Sequence, residues 1–335
     1  MKDVKIILVG MGVVGKGVAE LLDEKRDFFR KKNFNPKVVA IAEKDGALID
    51  GEGINLKDAL KDLKKAGKWV EEKSINIVSG VEADVVIEVT PTNLETGEPG
   101  LSHIRKALKS GKHAITSNKG PLVVDFWGLK EDAEKNNVLF RYEATVCAAI
   151  PLFSLHRNSI EANRIEFIKG ILNGTTNYIL TKMHEDGIPF EVALEEAIES
   201  GYAEKNYSYD INGNDAAAKA VIIANAILGM KKKYSDVKLT GIGGVTKNSV
   251  ELAKDSGFVI KLIAEIDENK LEVSPRLVPK LHPLNVNGTL NAVMFKMDMA
   301  RDLYLVGRGA GKRETAGSII NDLVEIMRDE SLLKK

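Results

Sequence analysis

The chain has 335 residues, 44% of them hydrophobic, enough for one large or two moderate domains with real cores. Forty-eight basic residues balance 48 acidic ones at zero net charge, which offers no whole-protein attraction to nucleic acid or an anionic membrane and points to a small-molecule ligand. A single cysteine, Cys147, excludes an internal disulfide framework and a cysteine-based zinc site, and no apolar run is long enough to span a bilayer. The sequence opens directly on a strand pattern without a signal peptide, so a soluble, cytoplasmic protein is expected.

Residues 4–9 form a short apolar run, followed by Gly10-Met11-Gly12-Val13-Val14-Gly15 and a periodic segment to about residue 31. The order is strand, glycine turn, helix. The first glycine permits the tight turn, the second lets a pyrophosphate approach the backbone, and the third lets helix pack on strand, while amides at the helix start bind phosphate. A merely structural turn would use the same glycines, but the position after a clean strand favours dinucleotide binding. A second strand, 37–42, ends at Glu43-Lys44-Asp45-Gly46, where such a domain distinguishes a ribose hydroxyl from a 2′-phosphate. Glu43 suits the ribose of NAD and Lys44 the phosphate of NADP, so either cofactor fits.

Residues 46–81 are charged, carry one predicted helix at 56–66, and read as a peripheral insertion. A strand at 83–89 ends in Thr90-Pro91-Thr92-Asn93, which places hydroxyls at the carboxyl edge of the sheet, where ligands bind; a plain turn is the competing reading. Beyond a Gly97 loop come a helix at 102–110 and a strand at 113–117, which delivers Ser117-Asn118-Lys119 to the same edge. A helix at 123–137 and a strand at 138–142 then close a Rossmann-type parallel sheet. Residues 143–151 lead out of it as a hinge.

The second half alternates as a strand over 164–172 and runs into Asn173-Gly174-Thr175-Thr176-Asn177, the capped start of a helix ending near residue 186. Such an amino terminus attracts a carboxylate. After a helix at 189–200 comes GYAEKNYSYDINGNDAAAK, residues 201–219, which opens an Ala-rich helix at about 216–228. Asp215 and Lys219 stand four apart on one face, in the acid-then-base order that supports the pair. On spacing alone this is a surface salt bridge, but a helix apolar nearly all round is buried, and buried charge marks a functional site. A glycine loop (Gly241, Gly243, Gly244), a helix at 249–254, and strands at 258–266, 271–277 and 292–297 follow. Gly307-Arg308-Gly309-Ala310-Gly311 precedes an amphipathic helix to residue 327.

Ala197, Gly201, Tyr202, Ala203, Asn206, Asp210, Ile211, Gly213, Asp215 and Lys219 together resemble the signature of homoserine dehydrogenase, with Tyr207 where that family has proline. The resemblance implies an α/β protein. A Rossmann-type nucleotide domain, 1–142 completed by 307–335, would join an α+β substrate and dimerisation domain with a mixed sheet, 143–306. It implies reversible reduction of L-aspartate 4-semialdehyde to L-homoserine with NADP or NAD, Lys219 as proton donor fixed by Asp215, and Lys119 as the second candidate. Thr116-x-Asn118-Lys119 resembles the family's cofactor-domain lysine near the reaction centre. Glu204 and Asp210 would bind the substrate ammonium, with Tyr202, Thr175 and Gly174 orienting the rest. Gly309 lies in a stretch that resembles the family's return to the cofactor domain, with Glu314 in place of proline. A monovalent cation, Na+ or K+, would take Glu143 and the carbonyls of Val146, Ala148 and Ile150. His282 and residues 292–297 would lie at a homodimer interface. The resemblance covers nearly the whole chain and leaves no segment for a kinase or regulatory domain. Two rivals remain: a two-domain reductase for another aldehyde or imine, and a non-catalytic dinucleotide sensor.

Overall fold

The apolar run after Asp3 becomes β1 (Lys2–Val9), and Ile6, Ile7, Leu8 and Val9 are buried on both faces, as expected for a strand paired on both edges and covered by helices. The structure, a computed structural model, describes residues 1–203 and 207–329, and its contacts divide the chain into two units, Met1–Thr145 with Gly311–Lys335, and Val146–Ala310.

In the first unit β2 (Phe34–Glu43), β3 (Gly46–Ile49), β4 (Trp69–Val70), β5 (Val85–Glu88), β6 (His113–Thr116) and β7 (Phe140–Arg141) join β1 in a seven-stranded sheet of order β4-β3-β2-β1-β5-β6-β7. Strand β1 pairs in parallel with both β2 and β5, and β6 and β7 continue the parallel run. The order therefore reverses at β1, and the ends of β1, β5 and β6 share the edge at which such sheets bind ligands. Residues 46–81 are not the peripheral insertion expected from their charge. β3 returns antiparallel on β2 and β4 pairs on β3, with Ala47 and Leu48 buried. Strands of four and two residues are too short to show a period among charged neighbours.

The helices of this unit are α1 (Val13–Glu24), α2 (Arg26–Lys31), α3 (Leu56–Lys61), α4 (Ser74–Gly80), α5 (Gly100–Lys109) and α6 (Lys119–Lys135). The single periodic segment expected from residue 13 to 31 breaks at Lys25, whose φ of −92° and ψ of 12° leave the helical region. Helix α6 begins four residues earlier than expected, because the Asn118 side chain caps it at the Gly120 amide. The C-terminal helix Lys312–Arg328 packs on α1 at Gly17, where an added Cβ would lie 3.0 Å from the Lys312 carbonyl. Ion pairs Lys312–Glu20 (2.6 Å), Arg313–Glu24 (2.8 Å) and Arg141–Glu325 (3.1 Å), with the Glu143 amide donating to Asp322, tie that segment to the unit. The chain thus enters this unit again from Gly311, four residues later than the expected 307.

The second unit holds β8 (Ile165–Ile171), β9 (Lys238–Leu239), β10 (Phe258–Ile266), β11 (Leu271–Pro279), β12 (Leu290–Met297) and β13 (Asp302–Arg308), in the order β13-β12-β8-β10-β11-β9. Only β9 pairs in parallel, so the sheet is mixed. Helices α7 (Leu152–Leu155), α8 (Gly174–Asp186), α9 (Phe190–Glu199), α10 (Ser208–Ile211), α11 (Asn214–Ala226) and α12 (Lys247–Asp255) accompany it. Among the described residues no helix is long and apolar enough to cross a membrane.

Lys261 on β10 is only 2% exposed. Its ammonium donates to the Val286 carbonyl (2.7 Å), Asn177 Oδ1 (2.9 Å) and Thr181 Oγ1 (3.2 Å), fastening the loop before β12 to α8. Burial pushes its pKa down to about 8, against the pull of Glu185. Between that value and the ordinary lysine range the unfolded chain holds a proton the folded one has lost, so stability from this group rises with pH. We expect the unfolding free energy of wild type, relative to Lys261→Met, to grow by on the order of 1–3 kcal/mol over that window in urea titrations. A constant difference would show that Lys261 titrates like an exposed lysine.

Candidate functional site

In the second unit Gly213, at φ 83°, turns the chain into α11, and an added Cβ there would lie 2.8 Å from the Leu239 side chain. Asp215 therefore falls in the first turn of a helix buried from Asp215 through Asn225. Lys219 Nζ lies 2.7 Å from Asp215 Oδ2 and donates to the Leu172 carbonyl at 2.7 Å, just past the end of β8. Burial works against the ammonium, but the Asp215 carboxylate, helped by Cys147 and Asp210, more than offsets it and holds Lys219 above its ordinary pKa. The pair is a buried one.

Asn173 joins it. Its Oδ1 caps α8 by accepting from the Thr176 amide at 2.9 Å, and its Nδ2 donates to Asp210 Oδ1 (2.8 Å) and Asp215 Oδ2 (3.0 Å). Burial first, then the Asp215 charge, push the Asp210 carboxyl up, against the pull of Asn173 and Lys219. Two carboxylates thus share one amide beside a buried cation. Sequence reasoning saw Asn173 only as a cap. An aspartate could cap as well but could not donate to carboxylates, and that difference was the available signal. Tyr209 was also missed: its hydroxyl is buried with no hydrogen-bond partner among the described residues. Burial and then Asp215 push its pKa well up.

Thr175 Oγ1 donates to the Tyr202 carbonyl at 2.8 Å, and the Tyr202 ring, half exposed, stands 4.8 Å from that of Tyr178. Gly174 is required by packing, since an added Cβ would lie 2.7 Å from the Thr289 carbonyl. Glu204 and Asn206 lie outside the described residues.

In the first unit the glycine turn follows β1. Gly10 takes φ 99°, an added Cβ on Gly15 would lie 2.1 Å from the Gly10 carbonyl, and one on Gly12 would meet nothing within 4 Å. Gly10 and Gly15 are held by the turn itself, whereas Gly12 faces open space at the start of α1. No side chain caps that helix, and Val13 is exposed and Val14 half-buried. Helix amides and room beside them fit a pyrophosphate. Glu43, at the end of β2, accepts from the Met11 amide, whereas Lys44 is exposed. Thr90 turns its hydroxyl inward to Glu88, Pro91 and Thr92 are exposed, and Ser117 and Lys119 are half-buried at the end of β6 and the start of α6.

Glu143 is buried in the first unit. In the second, Cys147 and Ala148 take φ values of 56° and 31°, a left-handed turn without glycine that Ile150 closes by donating to the Cys147 carbonyl at 2.9 Å. The Ile150 carbonyl accepts from the Leu152 amide, and Val146 and Ala148 are buried beside it in the chain. Burial pushes the Cys147 thiol up, and its sulfur accepts from Asn291 Nδ2 at 3.2 Å. Gly309 packs in this second unit: an added Cβ would lie 2.1 Å from Asn291 Nδ2. Among the described residues no group of three or more His, Cys, Asp or Glu side chains could hold a metal.

The family profile described as homoserine dehydrogenase matches residues 151–324, and that described as homoserine dehydrogenase, NAD binding domain, matches residues 10–143. A homoserine dehydrogenase of Methanocaldococcus jannaschii is 48% identical over 328 residues, 96% of this chain and 98% of that protein. An NAD(+)-dependent homoserine dehydrogenase of Pseudomonas canavaninivorans is 33% identical, with 97% of each chain covered. The solved structure of a hyperthermophilic archaeal homoserine dehydrogenase mutant in complex with NADPH superposes with a TM-score of 0.85 at 26% identity, covering 97% of this chain and 98% of that one.

Replacing Asn173 by alanine removes the amide that holds Asp210 down. We expect the Asp210 carboxyl to titrate at higher pH in Asn173→Ala than in wild type, by carboxyl-carbon NMR, with a loss of about 1–3 kcal/mol in stability. An Asp210 titration identical to wild type would remove Asn173 from the site.

Proposed function

The chain belongs to the homoserine dehydrogenase family, and we propose how its residues divide the work of this NAD(P)-dependent oxidoreduction, the interconversion of L-aspartate 4-semialdehyde and L-homoserine. The observation that carries the reading is the buried Lys219–Asp215 pair, 2.7 Å apart and tied to β8 through Leu172. Bound NAD(P) supplies the hydride for reduction and takes it up in oxidation. Lys219, held charged by Asp215, gives the proton that the developing alkoxide needs and withdraws it in the reverse direction. Lys119 is the second candidate for that proton.

Asp210 and Glu204 bind the substrate ammonium. The support for Asp210 is its burial beside a second carboxylate, which leaves it short of positive charge that an amino-acid ligand brings. An aldehyde without an amine lacks that charge, which gives specificity for the amino-acid substrate. Thr175, Gly174 and Tyr202 orient the remainder. The turn from Gly10 to Gly15, with Met11, Gly12, Val13 and Val14, holds the pyrophosphate, and Thr90, Pro91, Thr92 and Ser117 line the cofactor. The domain roles follow: the first unit binds nucleotide and the second binds substrate.

Between the two cofactors we favour NAD, because the Glu43 carboxylate beside the Met11 amide is where a ribose hydroxyl donates and a 2′-phosphate is repelled. The resemblance adds a cytoplasmic homodimer serving threonine, methionine and isoleucine biosynthesis. It also adds Na+ or K+ on Glu143 and the carbonyls of Val146, Ala148 and Ile150. Light scattering that shows a monomer would remove the dimer, and turnover unchanged when sodium and potassium are replaced by choline would remove the cation.

Homoserine-dependent reduction of NAD and NADP, run side by side at alkaline pH, should proceed with both and favour NAD, and Glu43→Ala should narrow the ratio. No turnover with either cofactor would sink the reading. Lys219→Ala should lower kcat by about 10²–10⁴ with cofactor affinity unchanged; substantial residual turnover would move the proton to Lys119 or water. Because Lys219 is held above its ordinary value, homoserine oxidation should still be climbing at pH 10, while aldehyde reduction stays level through neutral pH. A flat oxidation profile from pH 7 to about 10 counts against a lysine base.

A further inference from the structure

Glu88 is the last residue of β5, and it is fully buried. A carboxyl at the end of a Val-Val-Ile strand is costly to bury unless its oxygens are used. Here each one is. Oε1 accepts from the Thr90 amide at 2.9 Å and from the Thr90 hydroxyl, and Oε2 accepts from the Thr116 hydroxyl at 2.9 Å. The register places Glu88 opposite Val9 on one side and Thr116 on the other, so it stands where β1, β5 and β6 end together.

From those hydroxyls the network runs outward into two loops. Thr116 Oγ1 accepts from the Asn118 amide at 2.9 Å, and Asn118 Nδ2 donates to the Pro91 carbonyl at 3.3 Å. Asn118 Oδ1 caps α6 at the Gly120 amide, 3.0 Å away, and α6 begins with Lys119. The start of α5 closes over the cluster: an added Cβ on Gly100 would lie 2.6 Å from Asn118 Nδ2 and 3.1 Å from Glu88 Oε2. One side chain beneath the sheet edge therefore joins the loop after β5 to the loop after β6. Glu88 itself has no exposed surface.

We propose that Glu88 is a positioning residue for the cofactor: it locks the loop of Pro91 and Thr92 to that of Ser117 and Lys119, and so sets the edge against which the nicotinamide half of NAD(P) binds. This rests on the reading that this edge binds the cofactor. Burial pushes the Glu88 carboxyl up, against the pull of Thr90, Thr116 and Asn118. Glutamine preserves an acceptor for Thr90 and places an N–H against Thr116 Oγ1, which can accept. Leucine fills the volume and breaks both links.

The test compares Glu88→Leu and Glu88→Gln with wild type in three measurements: fluorescence titration with NADH and NADPH, kcat and KM for each substrate, and thermal unfolding. Glu88→Leu should weaken cofactor binding and raise cofactor KM by about tenfold or more, with homoserine KM within about threefold of wild type, and Glu88→Gln should restore most of the loss. A residue that merely supports folding would instead lower Tm and active fraction, leaving the cofactor constants of the folded molecules intact. Wild-type cofactor binding in Glu88→Leu, or a loss that glutamine does not restore, overturns the proposal. If Glu88→Leu does not fold, Thr116→Val decides: it breaks one link, and cofactor affinity unchanged in it overturns the proposal equally. Wild type that binds NADH but does not turn over homoserine fails the enzymatic reading and leaves the Glu88 comparison standing.

Discussion

A lysine ammonium taken out of water costs several kcal/mol unless its surroundings replace the lost hydration, and the second unit is arranged around one such group. Lys219 sits on a helix buried from Asp215 through Asn225, and only 7% of the residue is exposed to water. Asp215 one turn earlier and the Leu172 carbonyl at the end of β8 supply what water would have. Each solution brings its own cost, because Asp215 is itself buried and needs a donor, and Asn173 provides it while capping α8. Asp210 then shares the same amide. Strand end, helix start and Ala-rich helix are fixed to one another by this chain of compensated charge, and removing Lys219 would take away the cation 2.7 Å from the buried Asp215 carboxylate, at about 3–5 kcal/mol.

The first unit meets a different constraint. A parallel sheet leaves the ends of its strands at one edge, and the loops there must be firm enough to receive a ligand without filling the space it needs. Gly10 and Gly15 bring the turn tightly onto β5 and α1, leaving Gly12 facing open space. Glu43 tethers the turn to the end of β2, and Glu88 ties together the two loops beyond β5 and β6. Two carboxylates, one at the rim and one beneath it, thus hold the edge by accepting backbone and hydroxyl hydrogen bonds.

Where expectation and structure part, short elements and long-range partners are responsible. Strands β3 and β4 are too brief and too charged in their surroundings to read as strands, yet the pairing of β3 with β2 buries Ala47 and Leu48. Strand β13 was not expected, since only its last two residues, Gly307 and Arg308, fall in the glycine-rich motif, yet its pairing with β12 from Leu290↔Arg308 onward makes it the edge of the second sheet. The break at Lys25 left no proline or glycine to announce it. By contrast, β1, β10 and α8 appear where their patterns place them, since long apolar runs and a side-chain cap act locally.

By itself the sequence determined the glycine turn after β1 and the Asp215–Lys219 spacing, because each depends on neighbours a few residues apart along the chain. The i,i+4 geometry of a helix brings Lys219 to Asp215 whatever the rest of the protein does. Only the tertiary structure decided that Asn173 would reach Asp210 and Asp215 across 37 and 42 residues, that Glu43 would reach Met11 across 32, and that Glu88 would accept from Thr116 across 28. Those contacts depend on which strand lies beside which and in what register, and register is set by the burial of whole faces and not by the local pattern of any one segment.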